Sequence, residues 1–293
     1  MMNGLRTGGH KRMILGVVVL TGLLAGLGCV AGRSGLSEGK KGESRMEIIG
    51  HRGASADAPE NTLASVRLGW EQGADAVEVD VYLTRDGHLA VIHDKTTQRT
   101  AGLDKPVTEQ TLAELQSLDA GSWKDARWAG ERIPTLEDVL ATVPDGKRLV
   151  VEIKDSPATV QELKRAFEAS GKRPEQMVVI AFSLEVCAEA KRALPDHKVY
   201  YLAEFKQDKD TQVWGPPAAE LIAKARQARV DGLDMGYKGP LDAAFVKEAH
   251  AAGLDVLVWT VDKPEDARRM IEAGVSGLTT NRPGALRREL GSN

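Results

Sequence analysis

Cysteine is almost absent from this chain of 293 residues: only Cys29 and Cys187 occur. If Cys29 is removed or lipidated, Cys187 has no partner, which excludes a disulfide-stapled domain. Charge of one sign is also scarce in excess. The formal net charge is -3 and no block of basic residues occurs, so the footprint of a protein that tracks a nucleic-acid backbone is missing. A glycine-rich phosphate loop is missing too. Ile49-Gly50-His51-Arg52-Gly53 follows the first strand-like run and does not fit that pattern, which counts against an open dinucleotide-binding sheet. What is present is ordinary globular material, 42% hydrophobic and 28% charged, with length for a large core.

The N-terminus stands apart. His10-Lys11-Arg12 precedes an uncharged run from Met13 to Gly32. A basic start followed by an apolar stretch reads as an export signal. The run is also just long enough to anchor in a membrane, but its five glycines weigh against an anchor. Gly28-Cys29 resembles a bacterial lipoprotein cleavage site, with Gly26 where that pattern usually has leucine. Lipidation at Cys29 is the preferred fate, ahead of plain cleavage or retention as an anchor. We therefore expect an exported protein, periplasmic or membrane-associated through residues 1–32. A Gly-, Ser- and Lys-rich tether follows over 33–45, and a folded domain over 46–293.

Within that domain, apolar runs alternate with helical stretches. Strands are expected at Met46–Ile49, Ala76–Tyr82, Arg148–Lys154, Met177–Phe182, Lys198–Leu202, Val230–Met235, Val256–Val261 and Ser276–Thr280. Helices are expected between them, the first over Asn61–Gly73 with Asn61 near its cap, and one over Thr108–Leu118 capped by Thr108. Leu89–His93 and the short helices after it form an insertion following strand two, about residues 83–147. Strand-then-helix units imply a parallel sheet. Eight of them in roughly 250 residues is the size of a closed (β/α)8 TIM barrel.

Barrels carry their chemistry at the C-terminal ends of the strands. In Ala76-Val77-Glu78-Val79-Asp80-Val81-Tyr82 the side chains alternate faces, so Glu78 and Asp80 share one face and the valines the other. Strand three repeats the device with Glu152 and Lys154. Three carboxylates on neighbouring strands suit a hard divalent cation, Mg²⁺ or Ca²⁺. The plainer reading is an ion-pair cluster in which Arg52 and Lys154 balance the acids. His51 and His93 follow apolar strand runs beside this cluster, and two imidazoles can divide acid and base work. Arg52 and Lys154 beside a cation would make a site for a phosphate group.

These residues fall in motifs. His51-Arg52-Gly53, Pro59-Glu60-Asn61-Thr62, Glu78-Val79-Asp80, His93-Asp94, Val151-Glu152-Ile153-Lys154, Trp259-Thr260-Val261-Asp262 and Thr280-Asn281-Arg282-Pro283 occur in that order. The chain thereby resembles the glycerophosphodiester phosphodiesterase family over nearly all of residues 46 to 290. The resemblance implies a barrel with an insertion after strand two, and hydrolysis of glycerophosphodiesters to glycerol 3-phosphate and an alcohol. It implies a metal held by Glu78, Asp80 and Glu152, His51 and His93 as the acid–base pair, and Arg52 and Lys154 at the phosphate. It further implies attack by the substrate's own glycerol hydroxyl, giving a cyclic phosphate that water opens. Trp259 is expected near the substrate's glycerol unit or packed as an ordinary strand-end aromatic. Glu60 is expected as a further metal ligand, as an anchor for Arg52, or as a helix-entry residue beside Asn61. The family usually has Asp where this chain has Asn281, and often Asp-Gly where it has Ser276-Gly277. Both departures read as changes in loop support or at the substrate rim.

Two other functions stay open. A lysophospholipase D acting on lysolipids would need an apolar patch at the barrel mouth, for which Trp123, Trp128 and Trp214 are available. A non-catalytic lipoprotein that binds phosphorylated polyols would share the anion site but could dispense with the second histidine.

Overall fold

The structure is a computed structural model that describes residues 46–291. The leader expected over 1–32 and the tether over 33–45 lie outside the described residues. Within them no helix is long and apolar enough to cross a membrane.

The strands are β1 (Glu47–Gly50), β2 (Ala76–Leu83), β3 (Leu89–Val91), β4 (Arg148–Ile153), β5 (Met177–Ala181), β6 (Lys198–Ala203), β7 (Lys206–Gln207), β8 (Trp214–Gly215), β9 (Gly232–Gly236), β10 (Asp255–Trp259) and β11 (Gly277–Thr280). Most read as near-continuous apolar runs, as strands covered on both faces do. Parallel pairing runs β1-β11-β10-β9-β6-β5-β4-β2, and β1 pairs back onto β2, so eight strands close a barrel. β3 lies antiparallel to β2 outside the ring.

Register sorts the side chains into two layers. Val77, Val79 and Val81 join the large cluster under the surrounding helices. Ile49, Val150, Ile180, Leu202 and Leu257 fill the barrel interior. Burying each such aliphatic side chain contributes roughly 1.5–3 kcal/mol. A one-residue slip of β2 would put its valines inside and its acids against the helices, so the hydrophobic pattern enforces the register. Helix Pro264–Ala273 shows the same logic on the outer layer. Proline opens it, Gly274 closes it at φ 91, and Ala267, Met270 and Ala273 form the buried stripe.

Two expected caps are corrected. The first helix spans Leu63–Glu71 and Thr62 caps it, accepting from Ser65 N. Asn61 sits before the cap with φ 58 and turns its amide to Asp80 instead. In the insertion, Thr111 rather than Thr108 caps helix Leu112–Gln116, because Glu114 three residues on completes a reciprocal capping box. The short β7–β8 hairpin did not stand out in the sequence, since two residues per strand leave no periodicity to detect. Cys187 is a free, buried thiol, its Sγ 3.3 Å from Ala181 O. Burial pushes it up to about 12, so it stays an inert packing group.

Candidate active site

The acids of β2 and β4 meet at the barrel mouth. Asp80 stands beside Glu152 in the β2–β4 register. One carboxylate oxygen from each of Glu78, Asp80 and Glu152 lies within 4.8 Å of the others, and all three residues are buried. Their charges are not equivalent. Burial, with Asp80 and Glu152 close by, raises Glu78 well above the usual carboxylate range. Burial and the charge of Asp80 push Glu152 up to about 8, against the pull of Lys154. Burial also disfavours ionised Asp80, but Lys154, Arg52, His93 and the Asn61 amide outweigh it and hold this carboxyl low.

This pattern bears on both the metal and the ion-pair readings. Lys154 Nζ lies 2.8 Å from Glu152 and 3.4 Å from Asp80, and Arg52 Nε lies 3.3 Å from Asp80. Those two cations settle Asp80. They leave Glu78, whose one hydrogen bond is the 2.9 Å donation from Arg52 N, crowded by like charge. A divalent cation among the three oxygens would relieve that crowding, and an all-carboxylate donor set fits a hard ion.

Arg52 is held in place by strain and by partners. Its φ of 52 is left-handed, which costs a non-glycine residue on the order of 1 kcal/mol. Its N–H donates to Glu78, and its carbonyl accepts from Ser65 Oγ at 2.8 Å. Gly53 follows at φ 88, where a Cβ would fall 2.4 Å from the Ser65 backbone. The guanidinium donates to Glu60 at 2.7 Å. Glu60 therefore anchors Arg52 and is not part of the carboxylate cluster. Asn61 Nδ2 donates to Asp80 Oδ2 at 2.8 Å, and Asp80 N donates back to Asn61 Oδ1 at 3.2 Å, so the Asn61 side chain fixes the carboxylate.

Each imidazole is pinned at Nδ1. His51 Nδ1 lies 2.7 Å from Asn281 Oδ1. Asn281 donates from Nδ2 and from its backbone N to the two oxygens of Asp262, at 2.6 and 2.8 Å. That commits the amide orientation, so Oδ1 is the atom left for His51, whose Nδ1 then carries the proton. His51 Nε2 points toward the acids, 4.0 Å from Glu78 Oε2. Burial and the charge of Arg52 lower its pKa to about 4. His93 Nδ1 lies 2.6 Å from Asp94 Oδ1. Asp94 accepts from Arg99 Nε at 2.6 Å, and Arg99 donates to both Glu60 oxygens at 2.8 Å. One chain of charges thus joins His93 to Arg52.

A cavity of about 260 Å³ opens above these groups. His51, Arg52, Glu78, His93, Glu152 and Lys154 line one wall. Ile180, Phe182, Leu202, Asp234 and Trp259 line the other. Asp80, Glu60 and Asn61 stand behind the first wall. Trp259 donates from Nε1 to Asp234 O at 3.1 Å and meets Phe182 edge to face at 5.8 Å. Trp123 is not among the residues lining this cavity; it sits near Arg99 and Lys124 in the insertion.

One contact and one residue stand outside the sequence-based expectations. Asn281, expected as loop support or at the substrate rim, touches His51 directly. Nothing in the spacing signals this, since 230 positions separate the pair. Asp234 was passed over within an apolar strand. The signal was available: an acid between Leu233 and Met235 in a core strand, the same alternation that marked β2.

Comparison with known proteins agrees with the motifs. Residues 51–285 match the model of the glycerophosphoryl diester phosphodiesterase family. A glycerophosphodiester phosphodiesterase of Caldanaerobacter subterraneus is 34% identical over 244 residues, covering 82% of this chain and 95% of the relative. One from Bacillus subtilis is 31% identical over 295 residues, covering 94% and 96%. Among solved structures, an Oleispira antarctica phosphodiesterase in complex with the product sn-glycerol-3-phosphate superposes with a TM-score of 0.74 at 27% identity, covering 84% of this chain and 97% of that one. The glycerophosphodiester phosphodiesterase of Thermotoga maritima gives 0.65 at 26% identity, covering 83% and 97%.

Proposed function

The chain belongs to the glycerophosphoryl diester phosphodiesterase family and is a phosphoric diester hydrolase, and from that premise we propose how its residues divide the reaction. The substrate is a glycerophosphodiester, released as glycerol 3-phosphate and an alcohol. Arg52 and Lys154 receive the phosphate, since they are the cations on the cavity wall beside the acids. His51, its Nδ1 proton committed to Asn281, offers an Nε2 lone pair and takes the proton of the attacking glycerol hydroxyl. His93 gives a proton to the leaving alkoxide. Water then opens the cyclic phosphate, with the two rings exchanging roles. Glu78, Asp80 and Glu152 would hold Mg²⁺ or Ca²⁺, which supplies Lewis-acid stabilisation of charge on the phosphate oxygens when bound.

The observation that carries this reading is the meeting of two pinned imidazoles, two cations and a cluster of three buried carboxylates, two of them lining the cavity and Asp80 behind them. The test is glycerol 3-phosphate release by the purified protein, titrated with each metal. His51→Ala and His93→Ala should each lower kcat by about 10²–10⁴-fold. Full activity in both variants would sink the assignment. A non-catalytic phosphopolyol binder would show tight product binding with no turnover at any metal concentration.

A second reading concerns the leaving alcohol, and a specific feature favours it. Phe182 is 49% exposed and Trp214 38%. Trp214, Phe205 and Tyr237 line a neighbouring cleft of about 260 Å³ that shares Trp259 and Thr260 with the first. Glu204 and Lys238 line the same cleft, so its aromatic side is the part that would carry a lysolipid's acyl chain out of the cavity. Rates on glycerophosphocholine and its acylated form decide it. Trp214→Ala should slow only the acylated substrate, and an equal effect on both removes this reading.

We also propose export, supported by the basic-then-apolar leader. Incorporation of labelled fatty acid in cells, abolished by Cys29→Ser, tests lipidation.

A further inference from the structure

We propose that Asp234 reads the polyol end of the substrate, as an uncharged carboxyl on the cavity wall that exchanges hydrogen bonds with a glycerol hydroxyl. This rests on the activity proposed above and adds a residue that it does not use.

Asp234 lies at the middle of β9. Leu233 and Met235 pack outward against the helices, so Asp234 points into the barrel. Its register partners are Leu202 on β6 and Leu257 on β10, both members of the apolar barrel interior. Neither can donate a hydrogen bond. The inward positions on either side along β9 are glycines. A Cβ at Gly232 would fall 2.4 Å from the Tyr200 ring, and one at Gly236 would fall 2.9 Å from Glu204 Cβ. Asp234 is therefore the one side chain that β9 sends inward. The residue is 2% exposed, lines the cavity, and its Oδ1 has no hydrogen-bond partner among the described residues.

Charge explains what such a group can bind. β9 stands across the barrel from β2, with three strands between them in either direction, and the cations of the acidic wall are paired there with Asp80, Glu152 and Glu60. The titratable groups of the flanking strands are also engaged: Tyr200 donates to Asp255, and Glu204 pairs with Lys206. A buried carboxylate without a donor is costly, and the group takes a proton instead. Burial alone pushes it up to about 8. The neutral carboxyl has one donor and one acceptor face, and so does a hydroxyl. A phosphate oxygen would meet only the donor. The apolar neighbours Leu202 and Trp259 suit the carbon skeleton of a small polyol. A leucine at this position would be better for stability, so the carboxyl is retained at a cost that binding can explain.

Calorimetry with sn-glycerol 3-phosphate and, separately, inorganic phosphate tests the assignment on wild type, Asp234→Leu and Asp234→Asn. Asp234→Leu should weaken glycerol 3-phosphate binding by about tenfold to a hundredfold and leave phosphate within about twofold. Asp234→Asn keeps a donor and an acceptor, and should stay within about threefold for both. Unchanged glycerol 3-phosphate binding in Asp234→Leu overturns the proposal, as does an equal loss for phosphate. Loss in Asp234→Asn as deep as in Asp234→Leu, with the fold intact by circular dichroism, overturns it too. The wild-type turnover assay is independent: no release of glycerol 3-phosphate from any diester refutes the proposed activity, whatever the binding shows.

Discussion

Asp80 and Asp234 are buried to the same degree, at 1% and 2% exposure, on strands that stand opposite one another in the barrel. Their chemistry diverges completely. Asp80 is surrounded by Arg52, Lys154 and the Asn61 amide, and stays ionised. Asp234 has leucines beside it, and burial pushes its carboxyl up to about 8. Residue type and burial are therefore insufficient to assign a role; the partners decide whether a carboxyl acts as an anion or as a neutral hydrogen-bonding group. The same division runs through the whole cavity. One wall is a linked set of charges from Asp94 to Lys154, and the other is a largely apolar surface in which Asp234 is the one acid, with the threonines Thr260 and Thr279 also lining the cavity.

Neutralising each acid in turn should separate the two walls most widely. Asp80→Asn should abolish divalent-metal binding and lower kcat by about 10²–10⁴-fold with the barrel intact, measured by metal titration and assay. Asp234→Asn, at matched burial, should alter kcat by less than about threefold. Equal losses would show that the two walls do the same work.

A smaller effect is expected at Asn281. Its Oδ1 holds the His51 proton at Nδ1, so Asn281→Ala should lower kcat by about tenfold to a hundredfold with KM unchanged. The ¹⁵N shifts of His51 should report a mixture of tautomers. A change confined to KM would assign Asn281 to the substrate rim instead.

The smallest effect is on stability. Asp234 has a folded pKa of about 8, above its ordinary value of 3.8. Folding therefore takes up a proton between those limits, and the stability associated with this group declines as pH rises from about 4 to about 8. Asp234→Asn removes that dependence. Its melting temperature should exceed that of the wild type by a margin that grows from pH 5 to pH 8 and then levels. A margin that is constant with pH would mean Asp234 is ionised throughout.

Much of this site could be read from the chain. The alternation in β2 separated acids from valines, and the Glu152–Lys154 pair on β4 repeated it, because side-chain period and strand geometry are local properties. Residues that act through distant contacts were harder. Glu60 was one of several readings until its carboxylate met both Arg52 and Arg99. Asn61 lost its role as a cap because the amide finds Asp80 across the loop, while Thr62 supplies the cap oxygen.

The barrel, its strand order in the chain, the faces of β2 and β4, and the residues at the strand ends all follow from short-range periodicity and hydrophobic burial. The electrostatics of the site do not. That Asn281 touches His51, that Asp94, Arg99 and Glu60 tie His93 to Arg52, and that Asp234 Oδ1 has no hydrogen-bond partner among the described residues are facts of distance between segments remote in the chain. Coulomb and desolvation energies depend on those distances and on what surrounds each group, and no local pattern contains them.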